Sequence, residues 1–104
     1  MISTQVIDIS LGRPAATIPV VLDFFVTGHG WREIGQGVSD NDGVVESFGD
    51  GVAPGIYRLT YDIAAYRSDP FFPSVLVMFE VGASEEECHL ALHLSPYGYS
   101  VSRG

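Results

Sequence analysis

Thirteen acidic against five basic residues give this 104-residue chain a formal net charge of −8. That field repels phosphate backbones and anionic lipid, and with no Lys/Arg cluster to offset it the charge argues against nucleic acid and membrane partners. A lone Cys88 rules out an internal disulfide and a cysteine-based zinc site, no basic-then-apolar leader opens the chain, and no apolar run approaches the ~20 residues of a membrane-spanning helix, so a soluble cytoplasmic protein is expected.

The length suits one domain over residues 1–104, able to bury roughly 60–70% of its unfolded surface around a single core. Ile2 to Ile9 alternates, with Ile2, Thr4, Val6 and Asp8 on one side and Ser3, Gln5, Ile7 and Ile9 on the other, as a strand with period two does. Gly12-Arg13-Pro14 breaks it. Pro19 to Val26 is β-branched and aromatic on both faces apart from Asp23, which predicts a strand covered on both sides. Gly28-His29-Gly30 is a flexible loop with a solvent-exposed histidine, and Trp31 to Gly37 is the third strand. Ser39 to Gly43 carries turn chemistry. Its Asp/Asn/Asp spacing matches the start of a calcium loop, but the downstream bidentate Glu and the remaining ligands are not at the required offsets.

A short strand is expected over Val44 to Phe48 and a turn at Ala53-Pro54-Gly55. Ile56 to Asp62 alternates with Tyr57, Leu59 and Tyr61 facing in. Ile63 to Ser68 is the one helical candidate before Asp69-Pro70 stops it. Ser74 to Val81 is an apolar strand, Gly82 to Glu86 a polar connection, and the chain closes with a strand, a Ser-Pro-Tyr-Gly turn and a final strand. Short strands with turn signals about every ten residues point to an all-β sandwich with one short helix. Hydrophobic residues make up 46% of the chain and charged ones only 17%, a balance for which self-association is a natural outlet.

Period two on the penultimate strand places Cys88, Leu90, Leu92 and Leu94 on a core face and His89, Ala91, His93 and Ser95 on the other. The two histidines, at i and i+4, stand roughly 13 Å apart, so one chain cannot chelate a metal with both. Ser95, Ser100 and Ser102 lack the context of a nucleophile elbow, and a covalent serine mechanism is not supported.

Six stretches taken in order, Ser3-Thr4-Gln5-Val6-Ile7-Asp8, Gly12-Arg13-Pro14-Ala15, Asp40-Asn41-Asp42-Gly43, Gly55-Ile56-Tyr57-Arg58-Leu59, Phe71-Phe72-Pro73 and Leu94 to Ser100, make the chain resemble the transthyretin and 5-hydroxyisourate hydrolase family nearly end to end. The resemblance implies a prealbumin-like sandwich of two four-stranded sheets and a homotetramer, a dimer of dimers enclosing a channel with two sites. It also implies ring opening of a urate-oxidation product in purine metabolism, without metal or organic cofactor.

Carried over residue by residue, the family's second histidine is His89, and Arg103 with Gly104 matches its C-terminal motif. Gln5 stands where the family has its first-strand histidine, Val44 where it has an arginine after the Asp-Gly turn, and Ser102 at the tail tyrosine. Gln5 can hydrogen-bond but cannot exchange a proton near neutral pH. Val44 removes a cationic fork suited to an anion. His93 occupies a position that is usually apolar in the family. The expected catalytic pair is therefore His89 and Arg103, with Gln5, Ile7, Val44, Ala91, His93, Ser100 and Ser102 lining the ligand site. The function implied is a repurposed hydroxyisourate hydrolase-like enzyme acting on a small polar heterocycle. The alternatives are a non-catalytic small-molecule carrier and a residual 5-hydroxyisourate hydrolase.

Overall fold

Buried and half-exposed side chains alternate without a break along β1 (Ile2–Asp8) and β8 (Cys88–Ser95), and these two strands lie side by side at the centre of one sheet. The computed structural model describes residues 1–48, 53–83 and 87–104. Between β1 and β8 run β2 (Arg13–Pro14), β3 (Pro19–Val26), β4 (Gly30–Val38), β5 (Val44–Val45), β6 (Gly55–Asp62), a 3₁₀ turn at Ile63–Ala65 and β7 (Ser74–Val81), and β9 (Gly98–Arg103) follows. One sheet has the order β2-β1-β8-β9, with β5 also paired to β1, and the other has the order β4-β3-β6-β7. The chain thus forms the expected all-β sandwich with one short helix.

The local departures have physical reasons. Arg13-Pro14, expected as a break, pairs with Ile7 and Asp8 as a two-residue strand, a position at the sheet edge where proline's missing N–H is tolerated. The strand foreseen over Val44 to Phe48 is confined to Val44–Val45, opposite Gln5 and Thr4. The helical stretch shrinks to one turn, held at its start by the Asp62 carboxylate accepting from the Ala65 N–H. Strand β3 is not covered on both sides: Phe25 remains 40% exposed. Its Asp23 is buried beside a bulge and paired at 3.0 Å with Arg58, whose guanidinium lies 4.4 Å from the Trp31 ring centre. Residues 84–86 of the expected polar connection fall outside the described set. No helix is long and apolar enough to cross a membrane among the described residues.

The core lies between the sheets, with Val6, Leu92 and Leu94 of the first against Leu59, Tyr61 and Val75 of the second, all buried. Each such side chain contributes roughly 1.5–3 kcal/mol by leaving water. One polar chain crosses this interior. Thr4 Oγ1 lies 2.7 Å from the Tyr61 hydroxyl and donates its proton to the Leu90 carbonyl. Because threonine has a single hydroxyl proton, the Tyr61 O–H must be the donor to Thr4. Burial pushes the Tyr61 phenol up to about 12, against the lowering effect of Thr4, so it stays protonated in that role.

A second polar node closes the end of the sandwich. The fully buried Asp8 carboxylate accepts from the Ser10 N–H and O–H, the Leu11 N–H, the Tyr66 hydroxyl and Arg67 Nη2, the last two at 2.8 and 3.0 Å. Burial alone would raise this carboxyl, but the hydrogen bonds from Ser10, Tyr66 and Leu11 and the Arg67 charge outweigh it, leaving the group below its ordinary value. A carboxyl lowered on folding contributes its full stability above the unfolded value near pH ~3.9, and that contribution is lost as pH falls through the lower folded value. Asp8→Asn is therefore expected to cost about 2–3 kcal/mol in urea unfolding near neutral pH. The gap between variant and parent should narrow below about pH 4. A gap that stayed constant through the acid limb would count against this role for Asp8.

Candidate functional site

The pairing register decides which side chains share the outer face of the first sheet. Parallel pairing sets Ser3 against His89, Gln5 against Ala91 and Ile7 against His93. Antiparallel pairing continues the rows, placing Ser102 beside Ala91 and Ser100 beside His93. On the far side Val44 stands beside Gln5. Of the residues expected at the site, Gln5, Ile7, Val44, His89, Ala91, His93, Ser100 and Ser102 therefore occupy one contiguous face, none of them fully buried. The face carries no Asp, Glu, Lys or Arg at these positions, so its chemistry is that of amide, hydroxyl and imidazole groups.

Arg103 is the exception. It pairs with Leu90, whose side chain is buried on the core side, so the pleat turns Arg103 to the opposite side of the sheet from His89. Its Nη2 approaches the Glu87 carbonyl at 3.5 Å. Within one chain the two residues expected as a catalytic pair are not brought together, and what reaches His89 from this tail is the Gly104 N–H, donating to the His89 carbonyl at 2.9 Å.

His89 is oriented by a residue the sequence did not single out. Ser3 Oγ lies 2.8 Å from His89 Nδ1, which fixes the ring and leaves Nε2 as the nitrogen for external chemistry. Alternation alone put Ser3 on the same face as Gln5. What it could not supply was the parallel pairing of the first strand with the eighth, from which the contact follows.

Gln5 is held as well. Its Nε2 donates to the Asp42 carbonyl at 3.0 Å, which leaves the Oε1 acceptor as its contribution to the face. The turn supplying that carbonyl is built by Asp40, whose carboxylate accepts from the Asp42 and Val44 N–H groups at 2.9 Å each. It also depends on Gly43, at φ +76°, where a Cβ would stand 2.3 Å from the Val6 carbonyl oxygen. Only glycine fits there. Elsewhere, His29 is exposed in its loop and Cys88 is buried on the core side of β8. Among the described residues no group of three or more His, Cys, Asp or Glu converges to hold a metal ion.

Ser3→Ala tests the orientation of His89. The variant should fold like the parent, with a stability change of about 1 kcal/mol, and the imidazole ¹⁵N shifts of His89 should report an altered tautomer ratio. Identical shifts in parent and variant would remove Ser3 from the site.

The chain matches the family model described as the HIUase/Transthyretin family over residues 2–104. It is 36% identical, over 99% of its length, to the uric acid degradation bifunctional protein of Arabidopsis thaliana, of which it spans only 36%. It is 34% identical, over its whole length, to the 5-hydroxyisourate hydrolase of Salmonella typhimurium, covering 80% of that protein. Among solved structures, sea bream transthyretin in complex with thyroxine superposes with a TM-score of 0.92 at 25% identity, covering 99% of this chain and 93% of that one.

Proposed function

We propose that this chain, which belongs to the HIUase/transthyretin family, is a cofactor-independent hydrolase of the 5-hydroxyisourate hydrolase type, opening a small uncharged heterocycle of purine catabolism with His89 as its acid–base group. The named Salmonella relative supports the reaction class. The observation that carries the residue assignment is the 2.8 Å contact between Ser3 Oγ and His89 Nδ1. When Nδ1–H donates to Ser3, Nε2 is the bare nitrogen and can accept a proton. In the reaction proposed, Nε2 takes a proton from water and the hydroxide oxygen bonds to a ring carbonyl carbon. The adjacent C–N bond then breaks, and the imidazolium returns its proton to the leaving nitrogen. One water is added and neutral His89 is restored.

The preference for an uncharged substrate follows from the face. Gln5 offers a fixed acceptor for a ring N–H, while Ser100 and Ser102 offer hydroxyls for carbonyl and N–H groups. With Val44 in place of a guanidinium, nothing at these positions would hold an anion, and a net charge of −8 further disfavours one. The family resemblance adds a homotetramer with the ligand in a channel between facing sheets. In keeping with it, β9 is the last strand of its sheet and its Arg103 stands at an edge, where it would serve a neighbouring subunit's face more readily than its own.

The missing cation also favours a second reading, a carrier that binds a small molecule on this face without turning it over. The likeness to a transthyretin in complex with thyroxine agrees with that alternative. Following the decay of freshly generated 5-hydroxyisourate separates the two. The hydrolase reading expects acceleration by the parent protein that falls ~10²-fold or more in His89→Ala, and undiminished turnover in that variant would end the proposal. Saturable binding with no product formed would select the carrier. Gln5→His combined with Val44→Arg is expected to raise hydroxyisourate turnover by ~10²-fold or more, by restoring a second proton-exchanging group and an oxyanion donor. No gain from the double variant would show that these two positions are not what sets the rate.

A further inference from the structure

Where β1 and β8 finish, an open cleft of about 530 Å³ lies between the turn after β1 and the segment after the 3₁₀ helix. It is separate from the Ser3–His89 row, and the proposed hydrolysis does not use it. All five cations of the chain are arginines, and two of them, Arg13 and Arg67, line this cleft. One acidic residue lines it too, and that carboxylate is spent. Asp8 is fully buried and accepts from Ser10, Leu11, Tyr66 and Arg67.

The donors left over are therefore countable. Ser10 and Tyr66 have given their hydroxyl protons to Asp8 and act as scaffold. Arg67 gives a single Nη2 contact to the same carboxylate, and its side chain is still 21% exposed, which leaves most of its N–H donors unspent. Arg13 is exposed and makes no side-chain hydrogen bond or ion pair among the described residues. Ser68 adds an exposed hydroxyl on the same wall. One guanidinium is thus anchored by a buried carboxylate and a second stands opposite with its fork free, so the cleft carries net positive charge within a chain of net charge −8.

We propose that this cleft is an oxyanion site, taking the carboxylate or phosphate group of a small metabolite between Arg13 and Arg67. Guanidinium forks match both groups bidentately, and the size is that of a small-molecule site. The Asp8 network supplies the rigidity that such a site requires. It fixes Arg67 and both walls before any ligand arrives, so the ordering left to binding falls on the Arg13 side chain.

The test is a ¹H–¹⁵N titration of the intact protein at constant ionic strength, with inorganic phosphate in one arm and succinate in the other. Saturable shifts confined to Ser10–Arg13 and Tyr66–Ser68 are expected. Their midpoint should rise roughly tenfold or more in Arg13→Gln and stay put in Arg32→Gln, an exposed arginine on the edge strand β4. Saturation by phosphate alone would identify a phosphate-bearing ligand, and by succinate alone a carboxylate. Shifts that fail to saturate, that sodium chloride reproduces, or that persist unchanged in Arg13→Gln would overturn the proposal. Arg13 is exposed, and the variant's own spectrum reports whether it is folded.

Discussion

The parallel ladder from Ile2 opposite Cys88 to Asp8 opposite Leu94 is the constraint on which the functional half of this chain depends. Period two makes register all-or-nothing: a slip of one residue would send Ser3, Gln5 and Ile7 into the core and expose Ile2, Thr4 and Val6. With the register as it is, the histidine-bearing strand receives a serine, an amide and an isoleucine beside it in that order. Residues paired across this ladder lie 86 positions apart in the sequence. The ladder therefore cannot close until nearly the whole chain is available, and it carries the full loop-closure cost of a long-range pairing.

Two kinds of polar chemistry sit on the sheet that this ladder organises. Its outer face holds imidazole, amide and hydroxyl groups without a formal charge among the expected site positions. At the end of the same strands, one buried carboxylate gathers five donors and leaves arginine forks facing an open cleft. The separation is electrostatically sensible in an acidic protein. A neutral ligand on the face is indifferent to the overall field, whereas an anion needs local cations to overcome it.

Much of this was legible in the residues alone. Alternation assigned the faces of β1, β6 and β8, because a half-buried strand must repeat with the pleat. Turn chemistry at Asp40 to Gly43 was legible for the same local reason, and the motif order pointed to the sandwich. What depends on strands meeting at a distance was not. Ser3 acquires its importance only beside His89, Arg103 turns away from the His89 of its own chain only because its partner in the sheet is Leu90, and Arg13 reads as punctuation until the fold carries Arg67 to the same cleft. Phe25 shows the complementary limit: its apolarity promised a covered face, and composition cannot say whether the cover comes from this chain or another.

The Tyr61–Thr4–Leu90 relay described in the core bears on how such a protein can change its trade. Thr4 of the neighbouring strand grips the β8 backbone from the core side, one residue from His89, and is itself held by Tyr61 of the opposite sheet. The strand's position is thus secured by groups that no ligand touches. Changes on the outward side, at positions such as Gln5, Val44 and His93, can rewrite what the face recognises at almost no cost to its placement. A scaffold held from its concealed side leaves its visible side free to vary, which is how one framework can serve catalysts and carriers alike.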